Sequence, residues 1–143
     1  MAANDPVDSV MTRDPICMSK DSTVVDAAKA MAMQHIGDVL VLDGANAIGI
    51  VTDRDIVLRC VALGMSPDST TLKQVCTTGL LAVKASDRQA EAIRMMRENN
   101  VRRVAVVDGQ RPVGIVSIGD LARERDPSSL LGSISSAPPN DAK

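Results

Sequence analysis

Two stretches of this 143-residue chain end an apolar run with a hydroxyl and set a carboxylate three residues beyond it. They are Gly49-Ile50-Val51-Thr52-Asp53-Arg54-Asp55 and Gly114-Ile115-Val116-Ser117-Ile118-Gly119-Asp120. A side-chain oxygen followed by an acid at the third position is the pattern of a capping box, which satisfies free N–H groups at a helix start. The same groups can also bind. The hydroxyl suits a sugar or phosphate oxygen, the carboxylate accepts from two neighbouring hydroxyls, and the helix start favours an anion. Taken singly, either stretch reads as a cap. Their occurrence twice in one chain, taken with the resemblance described below, favours binding, and one residue can do both.

Arg102 and Arg103 are the other chemically pointed pair, since guanidinium groups hold phosphate through two donors each. The bland alternative is a solvated pair at a strand end. His35 is the only histidine, and Cys17, Cys60 and Cys76 are widely spaced with no CxxC. A metal site wants closely spaced Cys or His, so none is expected. The thiols read as ordinary semi-buried groups, with a redox disulfide as the alternative. No nucleophile–base pair or acid pair stands out, so no catalytic residue, catalytic cofactor or enzymatic activity is expected. Phe, Tyr and Trp are absent and the net charge is −2, which removes both the stacking platform and the electrostatic pull of a nucleic-acid binder. Hydrophobic residues make up 45% and charged residues 24%, enough for a real core. No apolar run reaches the roughly 18 residues of a membrane span. The opening Met1-Ala2-Ala3-Asn4-Asp5 has no basic, apolar leader. These features predict a cytoplasmic protein with no membrane partner.

What must position these groups is a unit written twice. Shifted by 65 residues, Asp21–Arg59 matches Ser86–Glu124 without a gap. Identities include Ala27/Ala92, Met31/Met96, Val39/Val104, Asp43/Asp108, Gly44/Gly109, Gly49/Gly114, Val51/Val116 and Asp55/Asp120. Val24, Ala27, Ala28 and Met31 follow helical spacing, with Thr23 and Asp26 as a capping box. Ala92, Ile93 and Met96 repeat the stripe. Val39–Leu42, a turn at Asp43-Gly44 and Ala47–Val51 predict a hairpin, repeated at Val104–Val107 and Val113–Val116. Helices follow over Asp53–Leu63 and Ile118–Arg125, and short strands precede near Ile16–Met18 and Leu80–Val83. The order is β-α-β-β-α, twice. Boundaries fall at 7–64 and 70–126, with Gly64–Asp68 as connector. Residues 127–143 are expected to hold a short turn, near Leu130–Ser135, and a flexible tail. One repeat is too small to cover both faces of its sheet, so the expected fold is an α+β sandwich of two repeats about a pseudo-twofold axis.

The two Gly-x-x-Thr/Ser-x-x-Asp motifs, each after its hairpin, resemble the signature that ends a CBS repeat. Val101-Arg102-Arg103-Val104 resembles the approach to that family's central strand, and Val10-Met11-Thr12-Arg13-Asp14-Pro15 the approach to its first. The resemblance covers roughly residues 7–125, and the layout is similar to small stand-alone CBS-pair proteins of bacteria, actinobacterial ones especially. It implies a Bateman module: a regulatory homodimer that binds AMP, ADP, ATP or a related adenosyl ligand and signals to a partner protein.

The resemblance also implies that each cleft takes its Thr/Ser-x-x-Asp from one repeat and its strand approach from the other. Cleft one would combine Ile50, Thr52 and Asp55 with Leu80, Leu81, Val101, Arg102 and Arg103. Cleft two would combine Val116, Ser117 and Asp120 with Thr12, Arg13, Pro15, Ile16, Ile36, Gly37 and Asp38. Cleft one then holds two guanidinium groups, whereas Asp38 repels phosphate in cleft two and Arg13 partly offsets it. Residues 1–64 carry five Lys/Arg and nine Asp/Glu, a net of −4, against eleven and nine, a net of +2, over residues 65–143. With no aromatic side chain, a purine would sit between aliphatic groups. The expected dimer seam is the second helix of each repeat, at Ile56, Val57, Cys60, Val61, Leu121 and Ala122. The competing reading is a structural CBS pair whose clefts bind no nucleotide.

Overall fold

The alternation of apolar residues in each copy builds a small sheet with helices against one face. The structure, a computed structural model, describes residues 4–125. The expected turn and tail over residues 127–143 lie outside the described residues. Its elements in chain order are β1 (Thr12–Arg13), β2 (Cys17–Ser19), α1 (Val24–Gln34), β3 (Asp38–Asp43), β4 (Asn46–Thr52), α2 (Asp53–Ile56, continued as a π-helical turn over Val57–Val61), α3 (Leu72–Val75), β5 (Thr77–Thr78), β6 (Ala82–Lys84), α4 (Gln89–Asn99), β7 (Arg103–Asp108), β8 (Arg111–Ser117) and α5 (Ile118–Arg125). The mixed α+β class is as the sequence predicts.

The described residues divide into two compact units, one of residues 15–80 and one of residues 4–14 with 81–125. The first unit's sheet runs β2-β3-β4-β5 and the second's β1-β8-β7-β6. In each, the long hairpin is antiparallel and the strand ahead of the first helix pairs parallel to the hairpin's first strand. The hairpins turn at Gly44 and Gly109, whose φ values of 63° and 66° favour glycine.

The outer edges differ from the simple repeat read from the chain. Thr12–Arg13 pairs with β8 of the other repeat, and Thr77–Thr78 pairs with β4. The short strand ahead of each copy therefore completes the sheet of the copy it does not begin. Glycine makes this possible. A Cβ on Gly49 would lie 2.5 Å from the Thr77 carbonyl oxygen, and one on Gly114 would lie 2.9 Å from that of Thr12.

In the first unit, Val24, Ala27 and Met31 of α1 pack on Val39, Val41 and Val51, with Cys60, Leu72 and Val75 closing the cluster. In the second, Ala92 and Met96 pack on Val104, Val106 and Val116, joined by Val7, Met11 and Leu121. Alternate residues of β3 and β7, Leu40 and Ala105, are buried as well, so both central strands are covered on both faces. Ala28, expected in the buried stripe of α1, is exposed, because Val24, Ala27 and Met31 alone fill that face. Thr23 caps α1 by accepting from the Asp26 N–H. His35 ends that helix in the left-handed region, as Asn100 ends α4.

Candidate functional site

Each Thr/Ser-x-x-Asp closes a hairpin and opens a helix, so strand and helix together aim its side chains. Both act as complete capping boxes. The Thr52 N–H donates to Asp55 Oδ2 at 2.9 Å and the Asp55 N–H to Thr52 Oγ1 at 3.1 Å. The Ser117 N–H donates to Asp120 Oδ2 at 2.9 Å and the Asp120 N–H to Ser117 Oγ at 3.1 Å. The capping alternative raised by the sequence is thus real for both.

The remaining carboxylate oxygens separate the two copies. Asp120 Oδ1 accepts from the Thr12 hydroxyl at 3.5 Å and pairs closely with the Arg123 guanidinium. That side chain is only 6% exposed. Asp55 Oδ1 has the Arg59 Nε at 4.0 Å, and its side chain is 15% exposed. Arg59 is turned elsewhere, since its Nη1 donates to the carbonyls of Val75 and Cys76 at 3.2 Å each. Asp120 is saturated by its own unit, while among the described residues one Asp55 oxygen has only a distant cation.

The strand approaches lie beside these motifs within each repeat. Asp38 is the cross-strand partner of Thr52, and Arg103 that of Ser117. The Gly37 carbonyl accepts from the Asp53 N–H at 3.0 Å, and the Arg102 carbonyl from the Ile118 N–H at 2.9 Å. Ile36 and Val101 are half-buried at the ends of the preceding helices, and Arg102 is exposed. Ile16 and Leu81 hold the other side of the central strands through their carbonyls, which accept from the Leu40 and Ala105 N–H groups. Ile50, Leu80 and Pro15 are half-buried, whereas Val116 is fully buried in its core. Arg13 is exposed and its Nη2 donates to the Asp8 carbonyl at 3.1 Å.

Sequence reasoning passed over Arg59 and Arg123. Both sit one turn beyond their aspartate, at i+4 and i+3, and that spacing is the available signal. It also passed over the equivalence of Thr12 and Thr77, which the same 65-residue offset relates. Cys60 and Cys76 are buried and Cys17 is half-buried, all as free thiols. Burial pushes the Cys17 and Cys76 thiols up. Among the described residues, no three His, Cys, Asp or Glu side chains are grouped to hold a metal ion. No helix among them is long and apolar enough to cross a membrane.

Comparison with known proteins agrees with this arrangement. The CBS domain family matches residues 7–61 and 72–126. The chain is 32% identical over 127 residues to the CBS domain-containing protein YhcV of Bacillus subtilis, covering 89% of this chain and 90% of that one. It is 33% identical over 115 residues to Hypoxic response protein 1 of Mycobacterium tuberculosis, covering 80% of each. Among solved structures, the CBS domain pair of protein MJ0100 in complex with 5'-methylthioadenosine and S-adenosyl-L-methionine is similar with a TM-score of 0.71 and 25% identity, over 83% of this chain and 94% of that one. The chain belongs to the CBS domain family and carries two CBS domains in tandem.

Proposed function

We propose that this CBS pair is a regulatory sensor of adenine nucleotides, AMP, ADP or ATP, or of a related adenosyl ligand, and that its principal cleft is built on Thr52 and Asp55. The observation that carries this reading is the open oxygen of Asp55. One carboxylate oxygen caps α2 and the other can accept from both ribose hydroxyls. Thr52 supplies a hydroxyl at the same helix start, and Ile50, Leu80, Leu81 and Val101 supply aliphatic walls for the purine. Arg102 and Arg103 supply charge for phosphate. The adenosyl ligands of the MJ0100 pair support the ligand class.

The second cleft, with Val116, Ser117, Asp120, Thr12, Arg13, Pro15, Ile16, Ile36, Gly37 and Asp38, is the weaker one. Asp120 would have to release Arg123 or Thr12 before accepting from a ribose, and Asp38 repels phosphate. That saturation favours the structural reading for this cleft. The module works as a homodimer, and ligand occupancy changes what a partner protein reads. Protein without Tyr or Trp has no useful intrinsic fluorescence, so titration calorimetry with AMP, ADP, ATP and S-adenosylmethionine is the test. A binding isotherm with one strong site per chain is the expected result. No heat from any of the four at millimolar concentration would leave only the structural reading.

A further inference from the structure

The helix α3 spans only Leu72–Val75, so the carbonyls at its end have no following helical turn to serve them. Arg59 takes that place. Its Nη1 donates to the carbonyls of Val75 and Cys76 at 3.2 Å each, from 16 and 17 residues away along the chain. These are charge-assisted bonds from a rigid planar group, stronger than neutral ones. The residues they hold are buried in the first unit's core. The same guanidinium keeps its Nε 4.0 Å from Asp55 Oδ1. Arg59 thus ties the helix that carries the Asp55 carboxylate to the corner between α3 and β5.

That corner governs two aliphatic side chains of the first unit. β5 is two residues long and pairs Thr77 with Ile50 and Thr78 with Gly49. Two pairings are too few to hold a strand by themselves. The chain then turns at Gly79, whose φ is 72°, and reaches Leu80. Ile50 and Leu80 are both half-buried. A tether at the start of β5 therefore fixes the neighbour of one and the approach of the other. The repeat shows that the fold does not demand this arginine. The 65-residue offset places Glu124 where Arg59 stands, and Val10 and Met11 where Val75 and Cys76 stand. An ionised carboxylate has no hydrogen to donate to a carbonyl. The second copy has its cation one residue earlier, at Arg123, where it pairs with Asp120. The second sheet forms all the same, with β1 on β8 as β5 lies on β4.

We propose that Arg59 is a positioning residue of the nucleotide cleft: it holds the α3–β5 corner so that Ile50 and Leu80 grip the purine, without touching the ligand itself. This rests on the assignment of that cleft to adenosyl ligands and adds what sets its preference for a purine. The test is NMR on isotope-labelled wild type, Arg59→Met and Arg59→Lys, with amide exchange measured free of ligand and titrations with AMP, adenosine and ribose 5-phosphate. Arg59→Met keeps the length and apolar stem but has no donor, whereas Arg59→Lys keeps a cationic donor. Arg59→Met is expected to speed exchange of the β5 amides about ten-fold or more and to weaken AMP and adenosine about ten-fold, leaving ribose 5-phosphate about unchanged. Arg59→Lys should recover part of each loss, and it carries the same comparison if Arg59→Met does not fold. Equal weakening of all three ligands would make Arg59 merely structural, and loss of AMP and ribose 5-phosphate with adenosine retained would make it a phosphate ligand; either overturns the proposal, as does unchanged β5 exchange. A wild type that binds none of the three overturns the nucleotide reading and this role together. A wild type that binds AMP, with variants of unaltered preference for AMP over ribose 5-phosphate, overturns this role alone.

Discussion

Replacing Asp55 and Asp120 by alanine, one at a time, should produce opposite profiles. Both variants lose a capping box, which costs about 1 kcal/mol of stability. Asp55→Ala loses little else, because Arg59 stands 4.0 Å away, is about half exposed and keeps its bonds to Val75 and Cys76. Asp120→Ala also removes one partner of Arg123, whose side chain is 39% exposed, and the acceptor of the Thr12 hydroxyl. Discounted for that exposure, the ion pair adds about 1 kcal/mol, and the long Thr12 contact adds little. The totals are about 1 kcal/mol for Asp55→Ala and about 2 kcal/mol for Asp120→Ala. In a domain of this size, about 1 kcal/mol shifts the melting temperature by roughly 3–5 °C. Asp120→Ala should therefore melt roughly 5–10 °C below the wild type and Asp55→Ala only a few degrees below. Binding should show the reverse order. A hydrogen bond to a charged acceptor is worth about 1.5–3 kcal/mol, so Asp55→Ala should weaken the strong nucleotide site about ten-fold or more. Asp120→Ala should leave that site near wild-type affinity. Scanning calorimetry and titration calorimetry on the same preparations read both axes. If Asp120→Ala is the more damaging change for binding, or Asp55→Ala the more damaging for stability, the assignment of free and saturated carboxylates is wrong.

Arg103→Ala should weaken AMP far more than adenosine, which has no phosphate, and Asp38→Ala should strengthen the second cleft; equal losses for both ligands would make Arg103 a structural residue. Gly49→Ala should destabilise by more than the about 1–3 kcal/mol of ordinary overpacking, because its Cβ meets a backbone carbonyl at 2.5 Å that cannot move without breaking the β4–β5 pairing; a urea midpoint close to wild type would refute this. Thiol reactivity should follow burial. With Cys17 and Cys76 raised above the ordinary thiol range by desolvation, folded protein should react with a disulfide reagent more slowly than unfolded protein at neutral pH. The linked stability is unaffected below the unfolded thiol pKa and declines as pH rises through it, since the unfolded chain releases those protons first. Fast stoichiometric labelling of the native protein at pH 7 would contradict that.

Most of the local structure was legible because its causes are local. The Thr52/Asp55 and Ser117/Asp120 capping boxes follow from i, i+3 spacing, and the hairpins from β-branched runs about Asp43-Gly44 and Asp108-Gly109. The helix stripes follow from the period of Val24, Ala27 and Met31. The duplication itself needed only the offset, and the recurrence of the motif together with its resemblance to the CBS signature is what raised binding above capping. Three features were decided by the tertiary structure. Thr12–Arg13 pairs with β8 and Thr77–Thr78 with β4 through backbone groups that every residue possesses, so side-chain pattern does not name the partner strand. Asp120 is saturated and Asp55 is not, because the Thr12 hydroxyl comes 108 residues along the chain to reach one and no such hydroxyl is bonded to the other among the described residues. The exposure of Val57, Leu58 and Val61 beside the buried Cys60 is the third, set by what packs against α2 and not by the helical period, which leaves all four near one side. Spacing along the chain determines which groups can meet within a turn; which of them are free to meet a ligand is set by contacts that only the folded sheet brings into reach.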